Sequence, residues 1–237
     1  RRFACGGALG DHVGGTGEVG TSRRGELAVL APDWAITAKC LRPLPDKHRG
    51  LSDPEARVRQ RYLDLVINQP ARRMLRQRSD AVRAVRESLA GRGYLEVETP
   101  MLQPVHGGAN ARPFITHINA YDMRLYLRIA PELYLKRLMV GGTEKVFELN
   151  RNFRNEGADA THNPEFTMLE AYEAYGDYDT MQVLMREMIQ DAARAALDGT
   201  VVVHEGREYD LGGDWRAVTV NDAISHALGE EITADTS

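Results

Sequence analysis

The residues best suited to chemistry lie between Phe147 and Tyr172, in "FELNRNFRNEGADATHNPEFTMLEAY". Side chains alternate along a strand, so Asn150, Asn152 and Arg154 share one face, with Glu156 just beyond, and Phe166, Met168, Glu170 and Tyr172 share another. If both faces look into one cleft, it offers a guanidinium, several carboxylates, an aromatic ring and a phenol. A guanidinium suits a phosphate, because its planar fork makes two parallel charge-assisted hydrogen bonds. The competing reading of Arg154 and Glu156 is a surface ion pair across a hairpin loop, which is common and weak. His162, in "THNPEF", can donate to a terminal phosphate or cap the loop. Glu132 and Glu170 fall in otherwise apolar segments, "IAPELYL" and "FTMLEAY". A carboxylate among core residues needs a partner, either an internal cation such as Lys136 or Arg137 or a cationic ligand.

Other chemistries lack their motifs. The chain has no G-x-x-x-x-G-K-[ST] loop and no G-x-S-x-G elbow, and its histidines lack zinc spacing. "GGTGEVG" is glycine-rich but does not open a helix after a strand, so it is discounted as a dinucleotide fingerprint. Cys5 and Cys40 are too far apart for a metal pair, and two free thiols in a reducing cytosol are expected.

The elements that position these residues follow from periodicity. "HVGGTGEVGTS", "GELAVLA" and "WAITAKCL" are β-like pieces, resembling the last strands of a small barrel. The proline-bearing stretch over 41–57 reads as a linker. A long helix follows, with Pro70 in its first turn, Leu75, Val82, Val85 and Leu89 on one face, and Gly91 and Gly93 at its end. "YLEVETPML" alternates as a strand that stops at Pro100, and "HGGANARPF" is a loop. "LYLRI" is a strand, and "APELYLKRLMVGG" a short helix opened by Pro131. "KVFELNRNFR" and "EFTMLEAYEAY" are strands flanking the charged loop. "YDTMQVLMREMIQDAARAAL" is an amphipathic helix, and "VTVNDAISHAL" a short one. This order lacks strict βαβ alternation and predicts an antiparallel-rich α+β domain.

Among the 237 residues, 43% are hydrophobic and 27% charged, ordinary for a globular protein. No run of eighteen apolar residues exists to span a membrane, and no secretory signal is evident. The net charge of −4 hides an asymmetry: residues 1–92 hold 18 Lys and Arg against 10 Asp and Glu, and residues 93–237 hold 12 against 24. A basic first part would attract a polyanion and an acidic second part a cation; solvated surface charge is the plainer alternative.

The stretch "FRNEGADATHNPEFTMLEAY" resembles motif 2 of the class II aminoacyl-tRNA synthetases, a strand–loop–strand carrying Arg-x-Glu. The preceding helix with "GYLEVETP" resembles motif 1, whose strand closes at a proline, here Pro100. With "HGGANARPFITHINAYDMRLYLRIAPELYLKRLMVGG", the resemblance is to lysyl-tRNA synthetases, and it extends over nearly the whole chain. Aspartyl enzymes carry a Ser-Pro-Gln type segment where this sequence has "APEL". Glu132, Glu170 and Tyr172 therefore form an acidic pocket that suits an ammonium side chain and repels a carboxylate.

This resemblance implies the fold of the class II synthetases, an antiparallel sheet flanked by helices behind a partial OB-type barrel. It implies a barrel remnant over 1–40, a linker over 41–57, and the first part of the catalytic domain over 58–237. Arg154 would bind the ATP α-phosphate and stabilise charge developing there; Glu156 would contact the adenine amino group and Phe166 stack on its ring. His162 and Asn163 would lie along the phosphates or the adenine edge. Glu132 and the Gly108 backbone would hold the α-amino group of lysine, with Glu170 and Tyr172 binding its ε-ammonium. Magnesium would bridge the ATP phosphates, and no protein metal ligand is assigned here. The family's glycine-rich third motif and usual magnesium-binding acids do not occur in these residues, and there is no initiator Met, so a longer polypeptide is expected, with the chain by itself incomplete for activity. A cytoplasmic homodimer formed through the motif 1 helix, acting on tRNA(Lys), is implied. Two alternatives are the synthetase part of an actinobacterial bifunctional protein that passes lysine to phosphatidylglycerol, and a non-catalytic or protein-lysylating paralogue. Such paralogues lack the barrel, which speaks against the second.

Overall fold

A computed structural model describes residues 7–45 and 50–236. The chain divides into two compact units, residues 1–75 and 76–237.

In the first unit, β1 (His12–Thr21) and β2 (Leu27–Ala38) form an antiparallel ribbon. The two pieces expected around Pro32 are one strand. Proline cannot donate to a ladder, and it is accommodated by an irregularity: Thr16 pairs with Asp33 and Glu18 with Leu30, so Ala31 and Pro32 bulge opposite Gly17. A Cβ on Gly17 would collide with the Leu30 carbonyl, so that position requires glycine. The expected barrel remnant and linker both include residues outside those described, 1–6 and 46–49. Helix already begins inside the expected linker: α1 (Pro54–Arg59) is N-capped by Asp53, whose carboxylate accepts from the amides of Glu55 and Ala56. Next comes α2 (Arg61–Ile67), where the buried Asp64 gathers Arg57, Arg61 and Asn68 at 3.1, 2.8 and 3.1 Å.

The long helix is α3 (Gln69–Gly91). It ends as glycine permits: Gly93 takes φ 83° and its amide reaches the Ala90 carbonyl, while the Tyr94 amide turns back to Leu89. The strand expected across "YLEVETPML" is shorter than its alternation suggests. It resolves into β3 (Leu95–Glu96) and β4 (Leu102–Gln103), separated by a Thr99–Pro100 kink. The Thr99 amide donates to the Glu148 side chain, not to a ladder. β4, β5 (Ile115–Ile118) and β6 (Met123–Leu127) form a three-stranded antiparallel sheet, so "LYLRI" ends as strand at Leu127. α4 (Glu132–Val140) follows, with Pro131 at its cap position.

The platform is a second sheet, ordered β3, β7 (Lys145–Phe153), β8 (Glu165–Glu173). β7 and β8 are antiparallel, with Phe147 opposite Ala171 and Leu149 opposite Leu169; the interleaved pairs are Glu148 with Glu170 and Asn152 with Phe166. The period of two thus gives the sheet one apolar and one polar face. The apolar face packs on helices: Phe147, Leu149, Leu169 and Ala171 join Val85 and Leu89 of α3. Met181, Leu184 and Met188 of α5 (Tyr178–Leu197) complete the cluster, at helical spacings of three and four. Each such side chain, when fully buried, contributes about 1.5–3 kcal/mol.

Asp177 starts α5 with a capping box, accepting from the Thr180 amide at 2.9 Å. Replacing Asp177 with alanine is expected to cost about 1 kcal/mol, read as a lowered urea midpoint with an unchanged slope. A hairpin of β9 (Val201–His204) and β10 (Arg207–Asp210) was not anticipated, and α6 (Val220–Leu228) closes the described chain.

Candidate active site

The polar face of β7 and β8 is the floor of the site. Phe166 and Glu170 are four residues apart on the same face, about 13 Å along the strand. They mark the two ends of a platform.

Arg154 leaves β7 at the first end, its amide donating to the Pro164 carbonyl at 2.8 Å to close the loop. Its guanidinium lies 5.2 Å from the Phe166 ring centroid, within cation–π range. Its buried Nε has no hydrogen-bond partner among the described residues. The surface pair between Arg154 and Glu156 does not form. Glu156 is exposed and accepts from the Arg112 amide at 3.2 Å, while the Asn155 amide donates to the Arg112 carbonyl at 2.8 Å. The glycine loop before β5 is thereby zipped to the motif 2 loop. His162 is exposed and held by Asp159, and Asn163 is exposed beside it.

At the other end, Tyr172 donates its hydroxyl to Glu170 at 3.0 Å. Burial pushes the Glu170 carboxyl above its usual range; the Tyr172 hydrogen bond opposes this, and the Glu132 charge adds to it. Burial first, and then Glu170, push the Tyr172 phenol up as well. Glu132, at the start of α4, pairs with Lys136 at 2.6 Å, and the same ammonium lies 5.9 Å from the Tyr172 ring centroid. Arg137 stacks on Tyr134 instead. The two acids thus differ: Glu132 has an ion-pair partner, whereas Glu170 makes no salt bridge among the described residues and feels Arg128 only at longer range. Gly108 is at φ 88°, and a Cβ there would stand 2.8 Å from that of Glu132. Only glycine lets this loop pass so close to the carboxylate.

Sequence reasoning missed a buried ion pair at the floor itself. Arg128 and Glu148 are a buried pair at 2.6 Å, each side chain 1% exposed. Extending the alternation of β7 by one step, from Asn150 to Glu148, would have found the acid. Nothing local marks Arg128, which sits past the end of β6 in an apolar run. Asn152, also buried, faces Phe166 across the ladder, and its amide atoms have no partner among the described residues.

Among the described residues, no group of three or more His, Cys, Asp or Glu side chains is arranged to hold a metal ion. No helix of the described residues is long and apolar enough to cross a membrane.

Comparison with known proteins agrees with this geometry. The family model described as tRNA synthetases class II (D, K and N) matches residues 53–235. The lysylphosphatidylglycerol biosynthesis bifunctional protein LysX of Rhodococcus jostii is 58% identical over 241 residues, covering 100% of this chain and 22% of that protein. The corresponding protein of Gordonia bronchialis is 61% identical over 233 residues, 96% of this chain and 20% of the relative. A lysine-tRNA ligase of Kineococcus radiotolerans is 59% identical over 230 residues, 96% of this chain and 46% of the relative. The chain therefore spans from about a fifth to under half the length of these relatives. With its polar-faced antiparallel platform, its Arg-x-Glu loop and a family match over most of its length, the chain belongs to the class II tRNA synthetases of the D, K and N group.

Proposed function

We propose that the polypeptide carrying this chain activates L-lysine with ATP to lysyl-adenylate and transfers the lysyl group to the 3′ end of tRNA(Lys). The observation that carries this reading is Glu170, a half-buried carboxylate that takes a tyrosine hydroxyl but makes no salt bridge among the described residues, Arg128 acting on it only at longer range while paired with Glu148. An ammonium entering there gains the missing partner, whereas an aspartate or asparagine side chain supplies no cation. The lysine α-amino group meets Glu132 beside the Gly108 backbone, displacing Lys136. Phe166 stacks on adenine, Glu156 accepts from its amino group, and His162 and Asn163 follow the phosphates. A lysine carboxylate oxygen then attacks the α-phosphorus as the bond to pyrophosphate breaks, with Arg154 balancing the charge that develops. In the second step the tRNA hydroxyl attacks the lysyl carbonyl and AMP leaves. No enzyme nucleophile is needed. Magnesium would arrive on the ATP phosphates and offset the charge of the leaving pyrophosphate; among the described residues no group of three or more His, Cys, Asp or Glu is arranged to hold it.

The test is ATP–pyrophosphate exchange by the whole polypeptide. Dependence on lysine is expected, and exchange with aspartate or asparagine in its place would refute the specificity. Glu170→Gln is expected to weaken lysine binding about 10- to 100-fold and leave ATP binding within two-fold; equal losses would indicate folding damage. Because burial raises the Glu170 carboxyl, acidification protonates it at a higher pH than an ordinary glutamate. Lysine affinity should therefore fall early on the acid side, and this dependence should flatten in the Gln variant. Two proton-linked signs follow: the ionised form binds lysine, while the protonated form favours the empty fold.

A homodimer formed through α3 and its following strands belongs to the same proposal. It is supported by apolar side chains left exposed at Leu95, Leu102 and Ile115. A cytoplasmic location follows from the tRNA substrate. A second reading, supply of lysine for lysyl-phosphatidylglycerol, is favoured by the relatives named for that biosynthesis. It requires lysyl-lipid to form when the whole polypeptide is supplied with tRNA, lysine, ATP and phosphatidylglycerol vesicles.

A further inference from the structure

The crown of the motif 2 loop is organised by a residue that the proposed reaction has not used. Asp159 collects almost every donor in its vicinity. Its carboxylate accepts from the Thr161 amide at 2.7 Å, the Thr161 hydroxyl at 2.9 Å and the His162 amide at 2.8 Å. It also takes His162 Nδ1 on both oxygens, at 2.9 and 3.0 Å, and the Asp159 amide donates to the His162 carbonyl at 3.1 Å. These bonds hold the Asp159 carboxyl at about 2, the Thr161 amide contributing most and the His162 side chain next, so it is ionised throughout the working range.

A carboxylate on Nδ1 does two things to an imidazole. It fixes the ring plane, and it assigns Nδ1 as the donor to the acid. The ring then meets any further partner through Nε2 alone; a phosphate oxygen requires an N–H there too, so the ring that binds it is the imidazolium, whose charge the Asp159 carboxylate offsets. The neighbouring Thr161 hydroxyl stands 3.0 Å from the same Nδ1, on the acid side of the ring. The His162 side chain is 74% exposed, so its free edge is available to a ligand.

We propose that Asp159 is a positioning residue for His162, holding Nδ1–H so that the ring, as the imidazolium, presents Nε2–H to the ATP phosphates in one fixed orientation. The inference rests on the reading of His162 as an ATP contact. A flexible histidine on an exposed loop would have to be ordered by ATP at each turnover. Asp159 carries out that ordering in advance, and it touches neither ATP nor lysine.

The test compares Asp159→Ala, Asp159→Asn, His162→Ala and the Asp159→Ala/His162→Ala double variant in the whole polypeptide, by lysine-dependent ATP–pyrophosphate exchange. Asp159→Ala is expected to raise KM for ATP about ten-fold and leave KM for lysine within two-fold. Asp159→Asn, whose side-chain oxygen still accepts from Nδ1, should lie between it and the parent. In the double variant, loss of Asp159 should add nothing to loss of His162. Additive losses, or equal rises in both KM values, would show that Asp159 merely holds the loop and would overturn its role while leaving His162 as an ATP contact. A parent-like Asp159→Ala would do the same. A parent-like KM for ATP in His162→Ala would instead remove His162 from the ATP site, and the proposal with it.

Discussion

Arg154→Ala should lower the rate of lysine-dependent ATP–pyrophosphate exchange by about 10²–10³ and leave lysine binding within a few-fold of the parent. The asymmetry follows from the platform. The guanidinium sits over Phe166 at one end, with its buried Nε unpartnered, while Glu170, proposed to bind lysine, sits at the other. A buried donor left without an acceptor is costly, and a phosphate oxygen supplies the acceptor. Charge grows on the α-phosphate oxygens as pyrophosphate departs, so the contact strengthens toward the transition state and its loss appears in kcat. Arg154→Lys keeps the charge but not the fork, and should recover only part of the rate. The variant's stability should match the parent's, because Nε contributes no hydrogen bond in the empty site. A rate loss under ten-fold, or a parallel loss of lysine affinity, would show that Arg154 is not the phosphate ligand.

The second large effect concerns stability. Arg128→Met should destabilise the fold by about 3–5 kcal/mol, because it leaves Glu148 charged, buried and unpaired. Arg128 does more than neutralise. Its Nε donates to the Arg151 carbonyl at 2.9 Å and its Nη1 to the Thr99 carbonyl and hydroxyl at 3.3 and 3.1 Å. Glu148 in turn accepts from the Thr99 amide at 3.2 Å, the Thr99 hydroxyl at 2.6 Å and Asn150 at 3.3 Å. The network therefore fastens the Thr99 backbone before Pro100 to the polar face of the platform at Glu148. Arg128→Met/Glu148→Leu should be less damaging than Arg128→Met alone, since no charge is then stranded. Urea unfolding of the parent, Arg128→Met, Glu148→Leu and the double variant measures the coupling; additive costs would show that the two side chains act independently. Glu148 stands opposite Glu170 in the ladder, so a stranded Glu148 would also push the Glu170 carboxyl further up and depress lysine binding at neutral pH.

Much of the architecture was legible where one local rule decided the outcome. α5 occupies the stretch its periodicity marks, because Met181, Leu184 and Met188 recur on one face and Asp177 caps the start. β7 and β8 were legible for the same reason, the middle of one face being apolar at Phe147, Leu149, Leu169 and Ala171. "YLEVETPML" was misjudged because alternation describes side chains alone, whereas the Thr99 backbone is claimed by the Arg128–Glu148 network. β2 was divided at Pro32 because a bulge opposite Gly17, which absorbs the proline, is a property of two strands and not of one.

The sequence by itself marked the candidates for the chemistry: the Arg154 loop, Phe166 and Glu170 on one strand face, and Glu132 at the start of a helix. Their types and period of two are local, and no folding is needed to read them. Only the tertiary structure decided how the charges were shared. Arg128, past the end of β6, is buried against Glu148, and Glu170 is left without a salt bridge among the described residues. That distribution depends on distances between elements remote in sequence and on burial that makes an unpaired charge expensive. Composition and spacing carry neither quantity.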